Sequence, residues 1–168
     1  MARKTPQRRI LVINGPNLGM LGFRQPEIYG TQTLNDIVQS LQTLAAAESF
    51  QIEAFQSNSE GALLDFLNQR FLEHTKKTIL CQGIIINPAA FSHTSVALRD
   101  AVEVFTLGKV PVVEVHLSNV FRREEFRKHS FISEIATAVI SGLQANGYLA
   151  ALQFIISKDQ GGNLGGLK

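Results

Sequence analysis

Short apolar runs alternate with stretches of helical periodicity along most of the chain. Residues 9–14 (RILVIN), 51–56 and 83–87 (GIIIN) have the length and apolar content of buried strands. Residues 110–116 (VPVVEVH) predict a fourth, with Pro111 near its start, where a missing N–H is tolerated. Between them, Leu34, Ile37, Leu41 and Leu44 form one apolar stripe on a helix over 34–49, with Thr33 as N-cap and Asp36 in the first turn. Leu63, Leu64 and Leu67 mark a helix over 60–71, and Val96, Leu98, Ala101, Val102 and Phe105 one over 94–107. Residues 136–141 are too few for periodicity to decide. Gly142 and Gly147 would interrupt a long helix, so the expectation is a strand and then a helix over 146–156.

Strands alternating with helices imply a parallel sheet covered on both faces. Five of them predict an α/β, flavodoxin-like, doubly wound five-stranded sheet with helices on both faces. In such sheets ligands bind beyond the C-terminal strand ends, where strand order reverses. A length of 168 residues fits one domain. We expect it over residues 9–157, between a flexible basic tail at 1–8 and a flexible Gly-rich tail at 158–168.

Composition narrows the function classes. With 45% hydrophobic and 18% charged residues, the chain is globular rather than disordered. Its net charge of +2 comes partly from Arg3, Lys4, Arg8 and Arg9, so no nucleic-acid-binding face is expected. No run approaches a membrane span, and residues 10–13 are too short for a signal-peptide core. Cys81 is the only cysteine, which precludes an intrachain disulfide and fits a reducing, cytoplasmic setting. No metal is expected, because Cys81 and the four histidines show no zinc-type spacing. Neither a GxGxxG nor a GxxxxGK[ST] fingerprint is present, so no nucleotide cofactor is expected.

Polar groups collect at three predicted strand ends. The first ends at Asn14, followed by Asn17 and a glycine-spaced loop carrying Arg24 and Tyr29. The pKa of tyrosine is about 10, and a neighbouring Arg⁺ can lower it by roughly 1–3 units, toward a working base. The third strand ends at Asn87, and His93 follows just before or at a helix start, where Ser92, Thr94 or Ser95 can cap. The fourth ends at His116, the best general-acid candidate. Glu114, two residues earlier, shares its face and can orient it, and the Leu117 and Ser118 amides can hold a carboxylate. Asp100, on the helix after His93, has a salt-bridged surface role as its plain alternative. No lysine sits at a strand end suited to a Schiff base.

Four motifs in order, NGPNLGMLGFRQPEIYG, FQSNSEG, INPAAFSHTSVALRDA and EVHLSNVFRREEFRKHS, resemble type II 3-dehydroquinate dehydratase over roughly residues 9–156. The resemblance implies dehydration of 3-dehydroquinate to 3-dehydroshikimate by anti elimination through an enolate, in the shikimate pathway. It also implies no cofactor and no metal, and a homododecamer built as a tetramer of trimers. By position it makes Tyr29 the base, His116 the acid and Arg24 the residue that activates the tyrosine or stabilises charge in the transition state. Asn17 would hold the enolate and Glu114 would orient His116. Asn87, His93, Leu117, Ser118 and Arg127 would bind substrate, and Asp100 would reach a neighbouring subunit's site. Gln25 and Phe121-Arg122 depart from the family pattern, and each can alter lid closure or subunit contacts. The competing expectation is a non-catalytic module that binds a small anion.

Overall fold

The predicted apolar runs become five parallel strands in a computed structural model that describes residues 7–23 and 31–161. The elements are β1 (Gln7–Asn14), α1 (Leu34–Ala47), β2 (Gln51–Gln56), α2 (Glu60–Thr75), β3 (Ile79–Asn87), α3 (Val96–Leu107), β4 (Val112–His116), β5 (Ala138–Ser141) and α4 (Asn146–Asp159). Strand order is β2-β1-β3-β4-β5. The chain therefore winds outward both ways from β1, and the reversal lies between β1 and β3. This is the doubly wound, flavodoxin-like α/β sheet expected from the sequence.

Side-chain alternation divides the core into two layers. Ile10, Val12, Ile85, Val113 and Val115 face α1 and α4, against Ile37, Leu41, Tyr148, Leu152 and Ile155. Leu11, Ile13, Ile84, Ile86 and Val112 face α2 and α3, against Leu63, Leu67, Leu98, Val102 and Phe105. Each such aliphatic side chain taken fully out of water contributes about 1.5–3 kcal/mol before entropy opposes it.

Several boundaries differ from those read off the sequence, each for a local reason. β3 begins four residues earlier, at Ile79. Its first half pairs with Gln7–Arg9, and the register then slips past Gln82, the polar residue that obscured the run. α3 begins at Val96 rather than 94, because Ser95 accepts a hydrogen bond from the Leu98 N–H at 2.8 Å and residues 89–93 form a separate 3₁₀ turn. β4 begins at Val112, since the Val110 N–H is taken by the Phe105 carbonyl at 2.9 Å and Pro111 has none. Gln7 and Arg8 belong to β1, and Lys158 and Asp159 belong to α4. The expected boundaries at 9 and 157 thus fall inside elements, and an Arg8–Asp159 ion pair joins the two. At α1 the expected cap is present as a reciprocal box: the Asp36 N–H donates to Thr33 Oγ1 at 3.2 Å and the Thr33 N–H to the Asp36 carboxylate at 2.9 Å.

Candidate active site

The crevice at the strand-order reversal is floored by two amides in register, Asn14 on β1 opposite Asn87 on β3. Both are buried. The chain after β1 leaves directly over β3: the Gly15 N–H donates to the Asn87 carbonyl at 2.8 Å, and a Cβ on Gly15 would lie 2.2 Å from the Pro88 carbonyl oxygen. Only glycine permits that approach. Ala89 turns the chain out of β3 with φ 52°, a left-handed conformation that costs a residue with a Cβ roughly 1–2 kcal/mol.

A cavity of about 200 Å³ opens above these strand ends. That is below the roughly 300–1,000 Å³ of drug-sized sites, so it suits a compact metabolite. The segments after β1, β3 and β4 all line it, with Asn17, Asn87, His93, His116, Leu117, Ser118 and Arg127 among its walls. Seven of the residues singled out from the sequence therefore meet in one place. Asp100 is not among the lining residues; its side chain is 63% exposed and pairs with Arg99 at 3.0 Å. Tyr29 and Arg24 lie outside the described residues.

His116 is nearly buried, and its Nε2 lies 2.8 Å from Oε1 of the fully buried Glu114. Burial pushes the Glu114 pKa up, but the His116 hydrogen bond and charge, with hydrogen bonds from Ser130 and Ser133, outweigh it and hold the carboxyl below its ordinary range. An ionised carboxylate only accepts, so Nε2 carries a proton and Nδ1 is the nitrogen left for a ligand. His93 is fixed from the other side: Nδ1 lies 2.6 Å from the His129 carbonyl oxygen, so Nδ1–H donates and Nε2 remains available.

The other walls supply donors. Asn17 sits in the left-handed region at φ 67°, with its N–H donated to Asn58 Oδ1 at 2.9 Å. The Leu117 carbonyl accepts from the Gln144 N–H and the Ser118 carbonyl from Ser141 Oγ, which leaves N–H groups as what this segment can offer an anion. Arg127 packs over Phe126 with its Nε–H donated to Glu124 at 2.9 Å. Among the described residues, two arginines and two histidines line the cavity and no carboxylate does. The balance favours an anionic ligand.

Sequence reasoning passed over four residues here. Arg123 lines the cavity; its signal was a cation a few residues beyond a strand end already rich in site residues. Ser130 and Ser133 reach Glu114 from a later loop, and Tyr148 reaches Asn14 from α4, 134 residues away. Nothing local marks those three. Among the described residues, no group of three or more His, Cys, Asp or Glu could hold a metal ion.

Comparison with known proteins gives a consistent assignment. The family model described as dehydroquinase class II matches residues 8–156. The 3-dehydroquinate dehydratase of Actinobacillus pleuropneumoniae is 50% identical over 158 residues, covering 94% of this chain and 96% of that protein. That of Pasteurella multocida is 51% identical over 150 residues, covering 89% and 95%. The type II dehydroquinase structure from Propionibacterium acnes superposes with a TM-score of 0.77 at 37% identity, over 92% of this chain and 99% of that one. The one from Butyrivibrio crossotus does so with a TM-score of 0.80 at 36% identity, over 89% and 97%. With the family model spanning nearly the whole folded chain and relatives matched end to end, this protein belongs to the class II dehydroquinases, a family of hydro-lyases.

Proposed function

We propose that the protein removes water from 3-dehydroquinate to give 3-dehydroshikimate, and that the residues collected at the sheet's C-terminal edge carry the reaction. The observation that supports this most directly is His116 held on the ionised Glu114 at the wall of a small, cationic, amide-lined cavity. The substrate is a β-hydroxy ketone with a carboxylate. Its carbonyl acidifies the α-proton, so a base, an enolate holder and an acid suffice.

In this reading Tyr29, activated by Arg24, takes the α-proton, and the C–H electron pair becomes the enolate. Asn17 donates to the enolate oxygen. Prealigned donors of this type contribute several kcal/mol to such intermediates. The enolate then collapses, the β C–O bond breaks, and His116 delivers the proton that makes the leaving hydroxyl water. Acid–base assistance of this kind gives about 10²–10⁴-fold. Asn87, His93, Arg127 and the Leu117-Ser118 amides hold the hydroxyls and carboxylate. The reaction moves no electrons to an acceptor, so it needs no redox cofactor, and in this reading the base, the enolate donor and the acid all come from side chains. We place the enzyme in the cytoplasm, in the shikimate pathway. Among the described residues, no helix is long and apolar enough to cross a membrane. A homododecamer would bring Asp100 of one subunit to a neighbour's site, consistent with its exposure at the start of α3. Light scattering that finds a fully active monomer would remove this assembly role.

The test is continuous absorbance of the conjugated enone product on adding 3-dehydroquinate to the purified protein. Turnover supports the reading, and saturable binding without turnover would leave only the small-anion module. Tyr29→Phe should keep KM within a few-fold and lose at least 10²-fold in kcat, about the low end of acid–base assistance. A near-native kcat would take Tyr29 out of the base role.

A further inference from the structure

The Glu114 carboxylate accepts from three side chains. Oε1 takes His116 Nε2 at 2.8 Å and Ser130 Oγ at 2.6 Å, and Oε2 takes Ser133 Oγ. The strand residues beside it, Ile86 on β3 and Val139 on β5, are apolar, and His116 is the charged group acting on it. Ser130 has no freedom to turn away. Its oxygen also accepts the Ile132 N–H at 3.2 Å and the Ser133 N–H at 3.3 Å, so its one proton is committed to the carboxylate. The carboxylate is thereby pinned at both oxygens and cannot rotate its plane away from the imidazole.

The same segment holds the cavity's other histidine. The His129 carbonyl accepts from His93 Nδ1, and the Phe131 N–H donates to the Ser92 carbonyl at 2.9 Å. Five consecutive residues, 129–133, therefore set the ring of His93 directly and that of His116 through Glu114. The charged neighbours on the approach to this segment are engaged elsewhere, Arg127 with Glu124 and Lys128 with Glu125.

We propose that Ser130 and Ser133 are positioning residues of the reaction: their hydroxyls fix the Glu114 carboxylate, and through it the tautomer, orientation and proton affinity of His116. This rests on the dehydration and the acid role of His116 inferred above. The sign follows from the donors. Hydroxyl hydrogen bonds stabilise the anion and lower the proton affinity of the coupled pair. Removing one leaves a more basic carboxylate, which holds the imidazolium more tightly, so the pair titrates at higher pH and gives up its proton less readily.

The experiment compares full-length wild type with Ser130→Ala, Ser133→Ala, the double variant and Ser133→Thr. Two readouts are taken: kcat and KM across pH, and NMR titration of ¹⁵N-histidine-labelled protein, with the His116 signals assigned by His116→Asn. Each alanine variant should lose about tenfold in kcat, the scale of one hydrogen bond to a charged group, with KM within about twofold. Its pH–rate limb and the His116 titration should move together to higher pH. Ser133→Thr should restore both, and the double variant should exceed either single. Alanine variants that match wild type in kcat, pH profile and imidazole titration would overturn the proposal, even if they melt at a lower temperature. Absence of turnover in the wild type would remove the proposed reaction and leave the titration to decide the positioning role by itself.

Discussion

Tyr148 shows how much of the site is set by one distant atom. It is fully buried on α4, and its hydroxyl donates to Asn14 Oδ1 at 2.7 Å. The Tyr148 oxygen in turn takes a hydrogen bond from the Asn87 side chain. The two amides flooring the crevice are thus tied together from behind by one phenol. Asn14 Nδ2 is buried without a partner among the described residues, which makes its orientation depend all the more on that tie. Tyr148→Phe should cost about 1–3 kcal/mol of stability by urea unfolding, the penalty for stranding a buried polar group. It should raise KM more than it lowers kcat, because Asn87 is read as a binding residue. Unchanged stability together with unchanged KM would show that the amides hold themselves. The strand-end asparagines were legible in the sequence because polar residues ending apolar runs are conspicuous. Tyr148 was not, because an aromatic on an amphipathic helix looks like core whether or not its oxygen has a task.

At the scale of elements, α4 meets β3 with almost no clearance. A Cβ on Gly83 would lie 2.5 Å from Ile155 Cγ2, so the helix reaches its seat only because that strand position has no side chain. Gly83→Ala should destabilise by about 1–3 kcal/mol, the usual cost of overpacking. Adding Ile155→Ala, which removes Cγ2 with the rest of the side chain beyond Cβ, should cost less in the Gly83→Ala background than in wild type, and thermal or urea unfolding of the four proteins of the cycle reads the coupling. Additive losses would show that the strand relaxes instead of colliding. Type and order of the elements could be seen in advance, since periods of 2 and 3.6 differ over a dozen residues. Their ends could not. The start of β3 was hidden by Gln82, which slips out of register, and the start of α3 by three competing caps, of which Ser95 is the one used.

Across the whole molecule, two buried weak acids make the fold sensitive to alkali. Burial pushes the Cys81 thiol from 9.0 up to about 12, and it also pushes the Tyr148 phenol up. A folded-state pKa raised above the unfolded value means a contribution fully present below the unfolded pKa and lost as pH rises toward the folded one. For Cys81 that window runs from pH 9 to about 12. Unfolding free energy measured by urea should therefore fall across it, by about 1.4 kcal/mol per pH unit for each titrating group. Cys81→Ala should flatten the slope by about one group's worth; parallel slopes would mean that the thiol ionises as easily folded as unfolded. The doubly wound architecture itself was legible from the alternation of runs. The convergence of residues 129–133 on Glu114 was not, because contacts between segments far apart in sequence leave no periodic trace.

The Arg8–Asp159 ion pair ties the first strand to the last helix at the end of the sheet away from the cavity. The two ends of the described residues, Gln7 and Gly161, therefore lie at the same end of the sheet. A short flexible linker from Gly161 back to Gln7 would join them, and the exposed turn at Lys76 and Lys77, which also precedes a strand at that end, could be opened instead. Sites of this kind tolerate new termini because little buried backbone is disturbed. A protein permuted to begin at Lys77 should unfold cooperatively and turn over substrate at a rate close to the parent's. The order in which these elements are synthesised would then be dispensable, with their arrangement around β1 sufficient to rebuild the crevice. A permutant that folds but has lost turnover would instead show that the two ends of the sheet are coupled.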